Sequence, residues 1–196
     1  MDAKIGVLAL QGDVSEHIDA FLLALERTGH GPESEVFEVR SPADLAACDA
    51  LAIPGGESTT ISRLIDKNGL YEPIRRFRGG IFATCAGMVL VAAEVADSRI
   101  HPLGRMDITV DRNAFGRQCE SFEMDLSLAG LDGGPFHAVF IRAPVVSRAA
   151  PSLTVMARLQ KGIVALENGN DMALSFHPEL GDDTRLHERF LKMNGI

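Results

Sequence analysis

The sequence contains few cysteines, and their arrangement excludes several kinds of site. Cys48, Cys85 and Cys119 are widely spaced, odd in number and never part of a CxxC pair. This arrangement does not suit a disulfide framework and contains no zinc signature, so we expect no metal. Unpaired cysteines are typical of a reducing compartment, which predicts a cytoplasmic protein.

Long apolar runs and phosphate-binding loops are missing as well. The apolar run near the N-terminus soon meets Gln11 and Asp13 and is too short for a signal peptide or a membrane span. The sequence has neither a GxGxxG motif nor a spaced GK[ST] motif, so no nucleotide is indicated and we expect no cofactor.

Positive charge is scarce. The chain has 19 Lys and Arg against 27 Asp and Glu, for a formal net charge of -8. Such a surface repels phosphate backbones and anionic lipids, so we expect no nucleic-acid partner and no membrane partner. The 196 residues are 46% hydrophobic and show no repeat, low-complexity tract or linker. We therefore predict one domain, residues 1–196, that buries its own core.

Up to about Ala96, short apolar runs alternate with amphipathic segments. The predicted strands are 5–10, 36–39, 50–53 and one that includes Ile81 and Phe82, and the predicted helices begin near Asp13, Pro42, Thr59, Tyr71 and Ala86. Asp13 and Glu16 have the spacing of a capping box for the first helix. The alternation predicts a parallel sheet with helices on both faces, which is a three-layer, flavodoxin-like α/β fold.

The second half of the chain has a different pattern. Six short β-prone runs follow, several of them joined by glycine-containing turns, at 107–110, 121–126, 136–141, 153–159, 162–167 and 172–176. This pattern predicts a largely antiparallel extension of the same sheet. The segment Leu186–Met193 has helical spacing and is expected to close the chain.

The stretch Gly79–Val91 has the pattern of a strand, a tight turn and a helix, with Cys85 at the turn. Ala83 and Gly87 flank this cysteine two residues away on either side, which is typical of a nucleophile elbow. A helix that begins at Ala86 would direct its free N–H groups at the sulfur and favour the thiolate. A buried structural cysteine is the commoner role of a lone Cys, but the small neighbours favour a nucleophile here.

A cysteine nucleophile needs a base, and His177 is the best candidate for that base. It follows an apolar strand, and Pro178 ends the ladder of hydrogen bonds there. In an extended chain, residues i and i+2 share a face, so Glu179 could orient the imidazole. Taken alone, His-Pro-Glu is more simply a polar turn, but beside the elbow it favours a triad. The histidines expected to be solvated or structural are His17, His30, His101, His137 and His187.

The pair Gly55-Gly56 follows the third predicted strand and offers backbone donors. The N–H groups of Gly56 and Ala86 could form an oxyanion hole. An ordinary strand-to-helix turn is the likelier interpretation of a lone Gly-Gly pair, so this role depends on the elbow.

These motifs resemble those of a known superfamily. The segments PGGEST at 54–59, TCAG at 84–87 and FHPE at 176–179 are similar, in this order, to those of class I glutamine amidotransferases. Three further stretches resemble the glutaminase subunits of pyridoxal 5'-phosphate synthase: LALQGD at 8–13, RNAFGRQ at 112–118 with SFE at 121–123, and FIRAP at 140–144. The resemblance covers nearly the whole chain.

The resemblance implies hydrolysis of L-glutamine to glutamate and ammonia through a thioester, with Cys85 as nucleophile, His177 as base and Glu179 as its orienter. The substrate-binding residues that it implies are Gly55, Gly56, Glu57, Arg112, Ile141 and Arg142. An arginine suits this role because a guanidinium can hold the α-carboxylate of glutamine with two hydrogen bonds. The alternative for Arg112 or Arg142 is a surface ion pair.

The resemblance also implies a partner, the synthase (lyase) subunit, which receives the ammonia in vitamin B6 biosynthesis. We expect that partner to dock near Gln11, Gly12 and Asp13, which end the first strand at the same sheet edge as the site. The chain departs from the family pattern at Ala83, where a glycine is often found, and in the links at 31–35 and 75–80. These departures affect loop geometry and not the chemistry.

Two other interpretations remain open at this point. One is another cysteine-dependent enzyme, either a hydrolase that shares the elbow or a different glutaminase, such as that of imidazole glycerol phosphate synthesis. The RNAFGRQ stretch disfavours it. The other is a catalytically silent binding or regulatory module, which the intact Cys85, His177 and Glu179 disfavour.

Overall fold

The computed structural model describes residues 2–112 and 121–196. Most of the RNAFGRQ motif and Cys119 lie outside these described residues.

The first half alternates strands and helices as predicted. Its elements are β1 (Lys4–Leu8), α1 (Val14–Arg27), β2 (Glu35–Val39), α2 (Pro42–Ala46), β3 (Ala50–Ile53), α3 (Ser58–Lys67), α4 (Tyr71–Arg75) and β4 (Ile81–Thr84). The strands lie in the order β2-β1-β3-β4, and every neighbouring pair is parallel. The carboxyl ends of these strands therefore meet at one edge of the sheet.

The elbow segment continues into α5 (Ala86–Val91) and then β5 (Ala92–Val95). The helix ends earlier than its apolar run suggested, because β5 pairs in parallel with β6 (Met106–Asp111). All six residues of α5 are buried. A run that is apolar on every side does not reveal by periodicity where a helix becomes a strand.

The second half is largely antiparallel, as predicted. Its remaining elements are β7 (Ser121–Leu126), β8 (Phe136–Ile141), β9 (Val145–Ala149), β10 (Thr154–Leu159), β11 (Gly162–Asn168), β12 (Asp171–Leu174), a 3-10 turn (Pro178–Leu180) and α6 (Arg185–Met193). Within the described residues, ten strands form one sheet with the order β2-β1-β3-β4-β12-β11-β9-β6-β5, and β10 pairs with β11. The sequence reasoning missed β5 and β9, and it did not foresee that β7 and β8 form a separate two-stranded sheet.

Two apolar layers cover the two faces of the sheet, which gives the predicted three-layer, flavodoxin-like architecture. In β3, Leu51 and Ile53 face one layer, with residues of α3 and α5, whereas Ala50 and Ala52 face the other. The second layer contains residues of α1 and α6, including Phe21 and Phe190. No helix in the described ranges combines the length and apolar character needed to cross a membrane.

Strand β12 lies beside β4 and sets the place of the predicted triad. The two strands are parallel, with Leu174 opposite Thr84. The backbone N–H of Cys85 donates to the carbonyl oxygen of Leu174 at 2.8 Å. The residues that follow both strands therefore emerge side by side at the carboxyl edge.

A buried ion pair holds the other ends of these two strands. The Asp171 carboxylate accepts from the backbone N–H of Ile81 and from the Arg105 guanidinium, each at 2.9 Å. The same guanidinium donates to the carbonyl oxygens of Phe77 and Gly79. Burial raises the pKa of Asp171, against the effect of Arg105.

We predict that Asp171→Ala lowers the free energy of unfolding by about 3 kcal/mol, because it leaves the Arg105 guanidinium, which is only 16% exposed, without its counter-ion. The matched control is Asp107→Ala, which breaks the exposed pair of Asp107 with Arg148 and is expected to cost less than about 1 kcal/mol. Urea denaturation of the three proteins measures both. Equal losses in the two variants would contradict the structural role of the buried pair.

Candidate active site

Cys85 has the strained backbone expected of a nucleophile elbow. Its φ is 48° and its ψ is -103°, and only one other non-glycine residue of the described chain, Arg142, has a positive φ. A Cβ at Gly87 would lie 2.2 Å from the carbonyl oxygen of Ile53, so the turn requires glycine there. Such strain persists only where the surrounding structure enforces it, and here it presents the sulfur at the edge of the sheet.

The three residues of the predicted triad are brought together. Cys85 lies close enough to the His177 imidazole to raise its pKa, both residues line the same cavity, and Nδ1 of His177 lies 2.7 Å from Oε1 of Glu179. His177 and Glu179 are 5% and 6% exposed. The extended-chain reasoning for Glu179 was wrong in detail, because Pro178–Leu180 form a 3-10 turn. That turn directs the carboxylate back at Nδ1.

Sequence reasoning missed the role of Asp13 beside this triad. We expected Asp13 to cap α1, but its side chain makes no capping hydrogen bond. Its Oδ2 lies 3.4 Å from Nδ1 of His177 instead. The sequence contained one signal for this role, because the QGD stretch follows β1 at the same edge of the sheet as the triad. A carboxylate gains more from an imidazolium than from a backbone N–H at a helix end, which explains the difference.

The carboxylates and the thiol determine the charge of His177. Burial lowers the pKa of this imidazole, but interactions with the side chains of Asp13, Cys85 and Glu179 outweigh burial and raise the pKa to about 12. The hydrogen bond with His177 in turn lowers the pKa of Asp13. The arrangement favours an imidazolium next to the sulfur, which is the environment that stabilises a thiolate.

A cavity of about 260 Å³ opens above Cys85. Its volume is below the range of about 300 to 1,000 Å³ typical of drug-sized ligands, so it suits a small substrate. The residues that line it are Asp13, Gly56, Glu57, Ser58, Cys85, Ala86, Val89, Arg112, Ile141, Arg142, Pro144 and His177. Of the predicted substrate-binding residues, Gly55 alone is not among them. A Cβ at Gly55 would lie 2.4 Å from Cε1 of His177, so this glycine makes room for the base.

One wall of the cavity is charged. The Glu57 carboxylate caps α3 by accepting from the backbone N–H groups of Thr59 and Thr60. Burial raises the pKa of Glu57, but the hydrogen bonds from Thr59 and Thr60 outweigh burial and lower the pKa to about 2. The Arg112 guanidinium donates to Glu57 at 3.1 Å and also pairs with Asp97. Arg112 therefore forms the ion pairs of the simpler alternative and still lies on the cavity wall.

The Gly55-Gly56 loop packs on the loop that follows β1. Oε1 of Gln11 accepts from the backbone N–H of Glu57 at 2.8 Å. A Cβ at Gly12 would lie 1.8 Å from the carbonyl oxygen of Gly55, so the two loops are in direct contact. Gly56 has a φ of 142°, a conformation available to glycine. The oxyanion hole of Gly56 and Ala86 stays a prediction.

Two further histidines, expected from the sequence to be solvated or satisfied structural groups, are buried near the site, and His187 has no hydrogen-bond partner in the described part of the chain. His17 and His187 are both 0% exposed. His17 contacts Thr84 and Glu179 behind the triad, and no sequence pattern had singled it out. Ligand atoms of Asp13, His177 and Glu179 lie within 4.8 Å of one another and could hold a metal ion by distance alone. Both carboxylates already face Nδ1 of His177, so the absence of a metal stays our prediction.

Comparisons with known proteins place this chain in a family. The SNO glutamine amidotransferase family matches residues 7–195 of the chain. The pyridoxal 5'-phosphate synthase subunit PdxT of Methanoregula boonei is 69% identical over 193 residues, which cover 98% of this chain and 100% of that protein. The subunit of the same name from Methanosphaerula palustris is 61% identical and is covered completely, as is this chain.

A solved structure agrees with these relatives. A crystal structure of a glutamine amidotransferase superimposes with a TM-score of 0.85 at 45% identity, covering 98% of this chain and 99% of that one. At 45% identity, the two proteins are similar in sequence as well as in fold.

The thiols of Cys85 and Cys48 are predicted to react very differently. Burial raises the pKa of Cys48 to about 12, so this thiol stays protonated at neutral pH. We expect a glutamine-mimicking alkylator to label Cys85 alone, and peptide mass spectrometry at pH 7 measures the site. Cys85→Ser is the control that should abolish labelling. Modification of Cys48 or Cys119 at a comparable rate would refute the assignment of the nucleophile.

Proposed function

Because the chain belongs to the SNO glutamine amidotransferase family, we propose that Cys85, His177 and Glu179 hydrolyse L-glutamine to L-glutamate and ammonia. The observation that carries this proposal is the placement of Cys85 and His177 on the wall of one small cavity, with the buried Glu179 carboxylate 2.7 Å from Nδ1 of His177. A series of thiol, imidazole and carboxylate is the arrangement of nucleophilic acyl transfer.

In the first step the Cys85 thiolate attacks the side-chain amide carbon of glutamine. The negative charge that develops on the amide oxygen is stabilised by the backbone N–H groups of Gly56 and Ala86. The His177 imidazolium then gives its proton to the leaving nitrogen, the C–N bond breaks, and ammonia departs. The product is a γ-glutamyl thioester on Cys85. The raised pKa of His177 supports this role, since the imidazole holds a proton at neutral pH.

In the second step water hydrolyses the thioester. Neutral His177 takes a proton from the water as it attacks the carbonyl carbon, the C–S bond breaks, and glutamate leaves with the thiolate restored. Glu179 keeps the Nδ1 side of the ring in place and stabilises the imidazolium in both steps. Asp13 faces the same nitrogen and adds to this stabilisation.

The charged wall suits the amino-acid end of glutamine. A substrate with both an ammonium and a carboxylate needs one group of each sign. Glu57 supplies a permanent negative charge, and Arg112 and Arg142 supply positive charge for the α-carboxylate. Gly55 and Gly56 shape the loop beside the reacting amide, and Ile141 lines the cavity near the sulfur.

The ammonia is destined for the synthesis of pyridoxal 5'-phosphate, which is vitamin B6 chemistry. The relatives at 69% and 61% identity are named as subunits of pyridoxal 5'-phosphate synthase. A partner synthase (lyase) subunit would receive the ammonia along a protected path, because ammonia that escapes to neutral water is protonated and loses its nucleophilicity. An active-site thiolate is preserved best in a reducing compartment, so we propose the cytoplasm as the location.

The rival interpretations are weaker after these observations. A glutaminase of another pathway is disfavoured by relatives that share most of the sequence and carry the same subunit name. A silent binding module is disfavoured by the strained Cys85 backbone, which has no purpose without a nucleophile.

We predict that Cys85→Ala and His177→Asn abolish glutamine hydrolysis, whereas Glu179→Gln leaves a measurable rate, because an orienting group matters less than the base that it orients. Coupled detection of glutamate in the presence of the synthase subunit measures all three. His137→Asn, which changes an exposed histidine, is the control and should keep the full rate. Wild-type rates for Cys85→Ala and His177→Asn would exclude the mechanism.

We also predict that the isolated chain hydrolyses glutamine weakly and that the synthase subunit raises the rate markedly. The contact of Gln11 with the Gly-Gly loop offers a route, since a partner on Gln11 could order the oxyanion hole. Gln11→Leu should blunt the rise without loss of thermal stability. Exposed Glu33 precedes β2 at the opposite edge of the sheet, and Glu33→Ala should leave the rise unchanged. Full activity of the chain alone, unaffected by the partner, would exclude this gating.

A further inference from the structure

A buried histidine lies behind the triad, on the side away from the cavity. His17 belongs to α1 and is 0% exposed. Its Nε2 is 3.0 Å from Oγ1 of Thr84 and 3.5 Å from Oε1 of Glu179. It is not one of the residues that line the cavity above Cys85. The ring therefore touches the triad without access to the substrate.

The surroundings of the ring determine which nitrogen carries the hydrogen. Burial lowers the pKa of His17, so the ring is neutral and has one N–H group. Within the described chain, Nδ1 has no hydrogen-bond partner, and a hydrogen there would be a buried, unpaired donor. A carboxylate can only accept. The hydrogen therefore belongs on Nε2, where it is within hydrogen-bond distance of Oγ1 of Thr84 and has Oε1 of Glu179 3.5 Å away.

Glu179 has few other partners. Its Oε2 is buried and finds no partner among the residues that the structure describes. Its Oε1 faces both His177 and His17. Without His17, the carboxylate would be held by the same imidazole that it has to orient. The Nε2–H group of His17, 3.5 Å from Oε1, gives Glu179 a polar contact that does not depend on the base.

On the basis of the proposed function, we propose that His17 is a positioning residue that holds Glu179 in the orientation needed by His177. The same ring contacts Thr84, which immediately precedes the nucleophile Cys85. One neutral side chain on α1 thus ties the strand of the nucleophile to the turn of the orienter. His17 takes no part in bond making, and its effect on the reaction passes through Glu179.

The chain contains a matched control for this role. His187 on α6 is equally buried, and it packs against Phe82 at a centroid distance of 4.8 Å, as His17 does at 6.1 Å. Neither ring nitrogen of His187 has a hydrogen-bond partner in the described part of the chain. Burial lowers the pKa of His187 to about 3, so it is neutral as well. Loss of His187 therefore removes packing but no donor from Glu179.

The test compares three variants, His17→Leu, His17→Gln and His187→Leu, in complex with the synthase subunit. His17→Leu should lower kcat for glutamine hydrolysis by about tenfold or more and change KM by less than about twofold, because it removes, outside the cavity, both the polar contact with the Glu179 carboxylate and the hydrogen bond with Thr84. His17→Gln should restore most of kcat, since its amide nitrogen can replace Nε2. His187→Leu should keep kcat even where thermal denaturation shows a loss of stability.

The outcomes separate this proposal from the proposed function. An active wild-type complex with an unchanged kcat in His17→Leu, or an equal loss in the Leu and Gln variants, would overturn the role of His17 alone. If His17→Leu does not fold, His17→Asn replaces it, because its shorter amide does not reach Glu179 and should show the same loss. An inactive wild-type complex would overturn the proposed function. In that case, the rate of Cys85 alkylation by iodoacetamide tests the positioning role of His17. Equal rates in wild type and His17→Leu would overturn that role.

Discussion

The parallel pairing of β4 with β12 is the constraint on which the rest of the site depends. Because Leu174 lies opposite Thr84 and accepts from the backbone N–H of Cys85, the two chain segments leave the sheet in register. A shift by one residue would turn the following side chains to the opposite face. Cys85 and His177, the proposed nucleophile and base, are 92 residues apart in the sequence, and this register brings them to the same cavity. The Asp171–Arg105 pair at the other end of the same strands protects the register.

With the two strands held in this register, acidic side chains surround one imidazole. Cys85, Asp13 and Glu179 all face His177, which overcomes the cost of burying a charged ring and keeps it protonated. The strained elbow and the glycines at 55 and 87 leave the space that this arrangement needs. In the proposed reaction, one imidazolium would both stabilise a thiolate and deliver a proton to the departing ammonia.

The three sides of the predicted triad differ in the groups that surround them. The cavity side carries the groups proposed to bind the substrate, with Glu57 and Arg112 paired on its wall. The loop side, with Gln11 against the Gly-Gly turn, is accessible to a partner. The buried side contains His17, which connects α1 to the orienting carboxylate. Each of these sides is formed by a different part of the chain, and all of them meet at the carboxyl edge of the sheet.

The sequence by itself determined whatever depends on neighbours along the chain. Alternating apolar runs predicted the first strands and helices, small residues around Cys85 predicted the elbow, and the FHPE stretch predicted the base with its orienter. Only the tertiary structure decided the contacts between distant segments. Asp13 faces His177 instead of capping its own helix, and His17 reaches Glu179, because sheet register and helix packing place those side chains. The local sequence pattern did not predict strands β5 and β9 either, because each is stabilised by pairing with another segment of the chain. The partner of a buried polar group is whichever residue the fold places beside it, and the periodicity of the sequence does not predict which residue that is.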